Sequence, residues 1–553
     1  MLLAAAVVLA FLGGLGAIPL IEPDEGRYAE IPREMLLRGD FVTPHLNGVP
    51  YLEKPPLYYW MSAGAMAVIR RPEVACRIAG AALGLAGLAL AYALGRSMGG
   101  RNAGLFAALI LGTAPLYVAL ARAAIIDMVL TFFLSASLTC FWLAQERQGG
   151  RAARWLWYGA FAAAALATLA KGLIGILIPG AVVFLFLLLT RRWSVLARVP
   201  WWGGLLLFFA IAVPWHVLAA RRTPDFLEFY FIHEHLLRYA TRTAERPGPF
   251  WYFGPVLLLG LLPWSGFLPA TFRLFRRGPL RERPGVVFLA AWAGFVVLFF
   301  SASQSKLIPY VLPAFPPLAV LLALSLEAVQ EKSRWLRAGA ATAAALLAML
   351  AALFLWAALG RVARFSPAFS PALFVFALAA AGVSLFAAAV WSRRGGPAWR
   401  GVAAFAAGGL LCIGCLWAAG PRIAFYRSAV EIARFLSPRL APGDEVYSYH
   451  CYPQTLPVYL GRLIGVVDYS GELAFGITHL PPAERRRRFP SSRQFLPVWT
   501  SGRTVYLVLE KRDLPEMREN DLAPGPILLQ QGKLLLMTNR PAASAAPGAR
   551  RAG

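Results

Sequence analysis

The stretch EPDEGRYAEIPREMLLRGDFVTPHLNGVPYLEKPPLYYW, residues 22 to 60, is denser in charged and aromatic side chains than a simple connector needs to be. Asp24, Arg27, Tyr28 and Ile31 fall at i, i+3, i+4 and i+7, so a helix here would carry a carboxylate and a guanidinium on one face. Asp24, after Pro23, stands at an N-cap position. Pro32 interrupts the run, which predicts a kink or two short helices lying along a membrane surface. Further on, Pro55 and Pro56 hold the backbone extended and display Glu53 and Lys54 from a stiff segment suited to a fixed binding site.

Other charged residues stand where apolar runs end. Arg122 and Asp127, in ARAAIIDMVLTFF, form a second charged site; a carboxylate a turn or more into an apolar helix is costly and points to function. Lys171, in ATLAKGLIG, lies at a turn between two helix ends, where both snorkelling to the interface and a binding role fit. His233, Glu234 and His235 could take a metal. Residues two apart on a helix point different ways, so at most one of these histidines joins Glu53 in a shared site. Lys306 and Tyr310, in SQSKLIPYVLPAFPP, sit among prolines that break a helix and leave room for a cavity. Cations beside carboxylates suit an enzyme working on an anionic lipid headgroup, with cations on phosphate and a carboxylate at the reacting centre. A lipid or sugar transporter is the alternative of a different class; it would place such groups near the midplane of internal repeats, and no repeat is found.

The elements that must position these residues are membrane spans. Of 553 residues, 58% are hydrophobic and 15% charged, and the mean hydropathy is +0.58. Apolar runs of about 17 to 25 residues, enough to cross a hydrocarbon core, recur up to about residue 420. They read as about thirteen spans, near 1–21, 74–95, 102–120, 124–144, 155–170, 173–190, 201–220, 251–271, 285–301, 307–326, 338–359, 371–391 and 401–419. The first run lacks a basic n-region and a small-residue cleavage site and is read as a retained helix. With the N-terminus inside, alternate connections are basic, among them Arg96/Arg101, Arg147/Arg151/Arg154 and Arg393/Arg394/Arg400. The net charge of +26 is therefore spread along span ends, which suits anionic lipid and argues against nucleic acid. Cys412 and Cys415 lie in an apolar run with no second pair, so no zinc or disulfide framework is implied.

This gives a membrane domain over residues 1–420 with long outer loops at 22–73 and 221–250, then a small α/β domain over 421–540. The strands of that domain are predicted at Glu445–Tyr449, Ile464–Val467, Thr504–Leu509 and Lys533–Met537, with a helix near Ser428–Leu436. Arg485–Arg488 reads as a solvated face, and residues 541–553, rich in Ala, Pro and Gly, as a disordered tail.

The first loop resembles that of the bacterial lipid A aminoarabinose transferases, GT-C glycosyltransferases related to the protein O-mannosyltransferases. RAAIIDMVLTFF, ATLAKGLIG, HEHLLRYATR, GLLPWSGFLP and SKLIPYVLP follow in the family's order. The resemblance implies a GT-C fold, an undecaprenyl-phosphate-linked sugar donor and transfer in the periplasm to a lipid A phosphate. It also implies a divalent metal, zinc being the candidate, near the lipid phosphate. On that resemblance Asp24 is the catalytic carboxylate and Asp127 lies near the sugar or acceptor. Arg27, Lys54, Tyr310 and Lys171 take the donor phosphate, and Glu53 and His235 hold the metal. The SKLIPY turn is shorter than the family's, which leaves a different sugar, or a protein hydroxyl as acceptor, open. The charge pattern places residues 421–553 outside. An alkaline phosphatase fusion after Arg422 is expected to be active and one after Arg394 inactive; the reverse would overturn this topology.

Overall fold

Gly80, Gly84 and Gly87 recur at i, i+4 and i+7 along one helix, and each lies where a side chain would collide with a neighbour. A Cβ at Gly80 would stand 2.8 Å from the Ala121 carbonyl oxygen, and one at Gly84 2.7 Å from the Ala121 side chain. The stripe lets the helix Pro115–Ala121 pack backbone to backbone, as small residues do between membrane helices. The Tyr117 hydroxyl donates to the Gly84 carbonyl at 3.1 Å across that contact.

The computed structural model describes residues 2–147, 149–237, 247–277, 283–328, 334–358 and 398–540, with 239 and 382. Among them, five helices are long and apolar enough to span a membrane: Pro72–Gly112, Ile126–Glu146, Trp201–Arg222, Pro284–Ala302 and Ile308–Ala328. Shorter apolar helices include Leu2–Leu12 and Ile174–Thr190. The break expected between the runs 74–95 and 102–120 falls at Gly100, whose φ of 85° a glycine adopts freely. The second run is not one helix: it ends at Gly112, and Pro115–Ala121 follows as a separate helix. The run 251–271 is not one helix either: Phe250–Gly260 and Trp264–Arg276 are bent by 111°, with Pro263 in the break. The expected span 371–391, residue 382 excepted, and the tail 541–553 lie outside the described residues.

The chain forms two compact units that do not follow sequence order. One comprises residues 1–15, 53–58 and 77–419; the other comprises 16–52, 59–76 and 420–553. The helical unit is cemented by aromatic side chains from different helices. Phe141 and Trp142 stack on Phe288 at 5.9 and 5.3 Å, and Phe186 meets Phe288 edge-on at 5.5 Å.

The second unit holds a short antiparallel hairpin, β1 (His45–Leu46) and β2 (Val49–Pro50). It also holds a five-stranded mixed sheet of β3 (Glu445–Tyr449), β4 (Gly465–Val467), β5 (Val505–Glu510), β6 (Ile527–Gln531) and β7 (Leu534–Thr538). The order is β4-β3-β5-β7-β6, with β3 parallel to β4 and β5 and the remaining pairs antiparallel. Alternate residues Val505, Leu507 and Leu509 of β5 join Phe495, Trp499, Leu535 and Met537 in one core. The strand predictions hold; β6 was not foreseen.

The loop helix Asp24–Arg38 belongs to this second unit and runs through Pro32 as a single helix, where two pieces or a kink were expected. Most of it is buried, from Glu25 through Pro32 and at Glu34 and Met35, so packing on several sides replaces the surface exposure that the pattern suggested. Its entry is tied to the C-terminal segment by Glu22. That carboxylate accepts the backbone N–H groups of Gln454 at 2.9 Å and Thr455 at 2.7 Å, and the Thr455 hydroxyl.

Burial pushes the Glu22 carboxyl up from 4.5 to about 7, against the opposing pull of those hydrogen bonds. The folded chain then holds this proton more tightly than the unfolded chain does. The group's contribution is full below pH 4.5 and is lost as pH rises through about 7. Thermal unfolding of the full-length protein in detergent should show stability falling across that window. Glu22→Gln should reduce the fall without abolishing it, because burial raises the Glu30 carboxyl as well. An unchanged slope in the variant would contradict this assignment.

Candidate active site

In the helical unit, Asp127 occupies the first turn of Ile126–Glu146 and Lys171 the last residue of Gly150–Lys171. Each charge sits at the helix end whose dipole favours it. The two side chains, 15% and 12% exposed, form a close ion pair, and the Lys171 ammonium lies 4.7 Å from the centre of the Tyr310 ring. Three residues singled out separately in the sequence therefore meet. Asp127 stands at the start of its helix rather than a turn inside it.

Arg122, expected beside Asp127, is used elsewhere. Its Nη1 donates to the carbonyls of Ala10 at 2.9 Å and Phe11 at 3.1 Å, near the end of Leu2–Leu12, and its guanidinium packs over Trp417 at 4.2 Å. It satisfies carbonyls that the helix leaves open and is a structural residue. Lys306 likewise donates to the Ser303 carbonyl at 2.6 Å.

A second pair in this unit joins Lys54 to Glu234. The ammonium stands 2.9 Å from Glu234 Oε2 and donates to the Glu53 carbonyl at 2.9 Å. Glu234 is the middle residue of the HEH cluster, and its side chain is only 4% exposed, whereas His233 is 53% exposed and 3.4 Å from the same carboxylate. The segment Glu228–Leu237 is a π-helix, a winding found often at functional positions. Sequence reasoning grouped Glu234 with the two histidines as a possible metal ligand and did not foresee its pairing with Lys54. The side chain of His235 lies outside the described residues. Among the described residues no three His, Cys, Asp or Glu side chains come together as a metal site, so no chemical step is derived through a metal.

The third arrangement lies wholly in the other unit. Asp24 is the first residue of its helix, not the cap, which is Pro23; its carboxylate is 3.7 Å from Arg27 Nη1 and 49% exposed. Arg27 is buried. Its Nε donates to Gln454 Oε1 at 3.2 Å and its Nη1 to the Tyr51 hydroxyl at 3.4 Å, while Glu472 stands 3.6 Å from Nη2. Burial works against the charge of this guanidinium. The neighbours Tyr51, Glu472, Tyr28 and Asp24 outweigh it and raise its pKa above the usual value. The pairing of Asp24 with Arg27 follows the i, i+3 spacing; Tyr51, Gln454 and Glu472 carried no local signal.

Two family models match the chain. One, described as dolichyl-phosphate-mannose-protein mannosyltransferase, covers residues 16–230; the other, aminoarabinose transferase C-terminal domain, covers 432–539. An undecaprenyl phosphate-alpha-4-amino-4-deoxy-L-arabinose arabinosyl transferase of Sodalis glossinidius is 33% identical over 537 residues, 93% of each chain. The chain belongs to the aminoarabinose transferase family. The aminoarabinose transferase of Edwardsiella ictaluri is 35% identical over 327 residues, and that match spans 58% of each protein. The crystal structure of ArnT from Cupriavidus metallidurans bound to undecaprenyl phosphate superposes with a TM-score of 0.86 at 29% identity, covering 99% of both chains. This aminoarabinose transferase relative is therefore a multi-pass membrane protein with the GT-C fold, and its tail matches the family's own C-terminal domain.

Asp127 and Lys171 each leave a largely covered partner uncompensated if the other is removed. Asp127→Ala and Lys171→Ala should each lower turnover and the unfolding temperature in detergent. The double variant should lose less than the sum, with a coupling of about 1 kcal/mol or more. Additive losses would show that the pair does not act as a unit.

Proposed function

We propose that this chain transfers 4-amino-4-deoxy-L-arabinose from undecaprenyl phosphate to a lipid A phosphate on the periplasmic side of the inner membrane. The observation that carries the reading is the pairing, at the start of one helix, of a half-exposed carboxylate, Asp24, with a buried and fully charged guanidinium, Arg27. The relatives named above supply the donor and the sugar. The coverage of 93% of the chain by the Sodalis glossinidius relative and of 99% by the Cupriavidus metallidurans structure favours aminoarabinose over another sugar.

In the reaction the bond between the sugar's anomeric carbon and the polyprenyl phosphate breaks, and a bond to an acceptor phosphate oxygen forms. A phosphate monoester has a second pKa of about 6 and is largely ionised at neutral pH, so the acceptor scarcely needs a general base. Asp24 then orients the acceptor and stabilises positive charge developing at the anomeric carbon. Arg27 and Lys54 stabilise the departing phosphate. Lys54 must exchange Glu234 for that phosphate, and Tyr310 and Lys171 assist on the donor. Asp127 holds Lys171 and lies near the sugar or acceptor. A divalent metal on Glu53 and His235 belongs to the same proposal and would add charge stabilisation at phosphate when bound. Metal content of the purified protein should fall on replacing either residue by Ala and stay unchanged in His233→Ala.

The purified protein should cleave labelled donor in detergent, where a transporter would have no gradient and no chemistry. Loss of a preorganised charge costs on the order of a hundredfold or more in rate. Asp24→Asn should therefore be nearly inactive yet still bind donor, and Lys54→Ala should lose donor affinity as well as rate. Turnover near the parent's in Asp24→Asn would overturn the assignment.

A further inference from the structure

The family relationship gives the C-terminal domain no task, yet two of its side chains end on Arg27, one of the proposed phosphate ligands. We propose that Gln454 and Glu472 are positioning residues for Arg27, and that the C-terminal domain is thereby part of the donor-phosphate site. The inference rests on the reading of Arg27 as a phosphate ligand.

An arginine side chain is long and rotamer-rich, and binding through it is costly unless it is held in advance. Gln454, almost fully buried, uses both ends of its amide. Oε1 accepts from Arg27 Nε at 3.2 Å, and Nε2 donates to Glu472 Oε1. Glu472 then stands 3.6 Å from Nη2. The guanidinium is thus gripped along its Nε and Nη2 edge, while Nη1 points to Tyr51 and the half-exposed Asp24. At 3.6 and 3.7 Å the two carboxylates sit beyond hydrogen-bond length. They sustain the charge without consuming the Nη hydrogens that are not donated to Tyr51, which a phosphate can take.

The grip is anchored on the backbone as well. A Cβ at Gly26 would stand 2.6 Å from the Thr455 nitrogen and 2.7 Å from the Gln454 carbonyl carbon, so the helix approaches this segment as closely as a residue without a side chain permits. The Glu22 carboxylate fixes the nitrogens of the same two residues. Arg27 is thus aligned by residues 427 and 445 positions away in sequence, on a segment docked by its own neighbours.

The test measures binding of undecaprenyl phosphate to the full-length protein in detergent, with thermal unfolding recorded alongside. The variants are Arg27→Ala, Gln454→Met, which keeps the volume of the side chain, Glu472→Ala, and the double variants Arg27→Ala/Gln454→Met and Arg27→Ala/Glu472→Ala. Loss of hydrogen bonds to a charged group predicts about a tenfold or greater weakening of Kd in each single variant. In the Arg27→Ala background neither second change should weaken binding further, whereas a merely structural role would add its loss there too. Should Arg27→Ala weaken binding while Gln454→Met and Glu472→Ala leave Kd at the parent value, or weaken it additively, the positioning role is overturned and the reading of Arg27 stands. An Arg27→Ala variant that binds as the parent does would overturn both.

Discussion

A guanidinium that is buried must be given back, by the protein, the hydrogen bonds and counter-charge that water would have supplied. At Arg27 this requirement recruits an amide, a phenol and two carboxylates, and they come from three separate stretches of chain. The loop helix must approach the C-terminal segment at a glycine, and Glu22 must turn inward at the helix entry. The mixed sheet has to hold the segments carrying Gln454 and Glu472 still. Much of the second unit can be understood as the apparatus that keeps one positive charge both buried and available.

The helical unit applies the same rule with shorter means. Asp127 and Lys171 compensate each other from opposite helix ends, and Tyr310 offers its ring face to the ammonium. Lys54 is held by a carboxylate from a π-helical turn, Arg122 by carbonyls at the end of the first helix. Charges in a low-dielectric setting are expensive, so each of these cations has a partner; what distinguishes a site residue from a structural one is whether that partner can be exchanged. A carboxylate facing Lys54 can give way to a phosphate. The backbone carbonyls around Arg122 cannot be spared in the same way.

How much of this could be read from the chain alone varied with the range of the interaction. The Asp24–Arg27 pairing is a three-residue spacing on one helix, and the strands around Tyr447, Val466, Leu507 and Leu535 announce themselves by alternation and flanking turns. The helix break at Gly100 and the bend at Pro263 are local too, though the exact division of the spans was not legible. Gln454 and Glu472 were invisible because their contact with Arg27 is made over more than four hundred residues. The role of Glu234 was misjudged for another reason: a cluster of two histidines and a carboxylate suggests metal chemistry, whereas its partner Lys54 is 180 residues away in sequence. Pro32 misled because burial on several sides can hold a helix through a missing N–H that an exposed helix would not tolerate.

The central claim is that these charged groups serve sugar transfer to a lipid phosphate. It is tested most directly by mass spectrometry of lipid A from cells that make the donor, with the gene present, deleted, or restored as Asp24→Asn. The account predicts lipid A bearing an amino-pentose on phosphate only when the parent protein is present, with the phosphate left bare in the deletion and in the Asp24→Asn strain. Amino-pentose-modified lipid A that persists unchanged in the deletion, or is fully restored by Asp24→Asn, would contradict it.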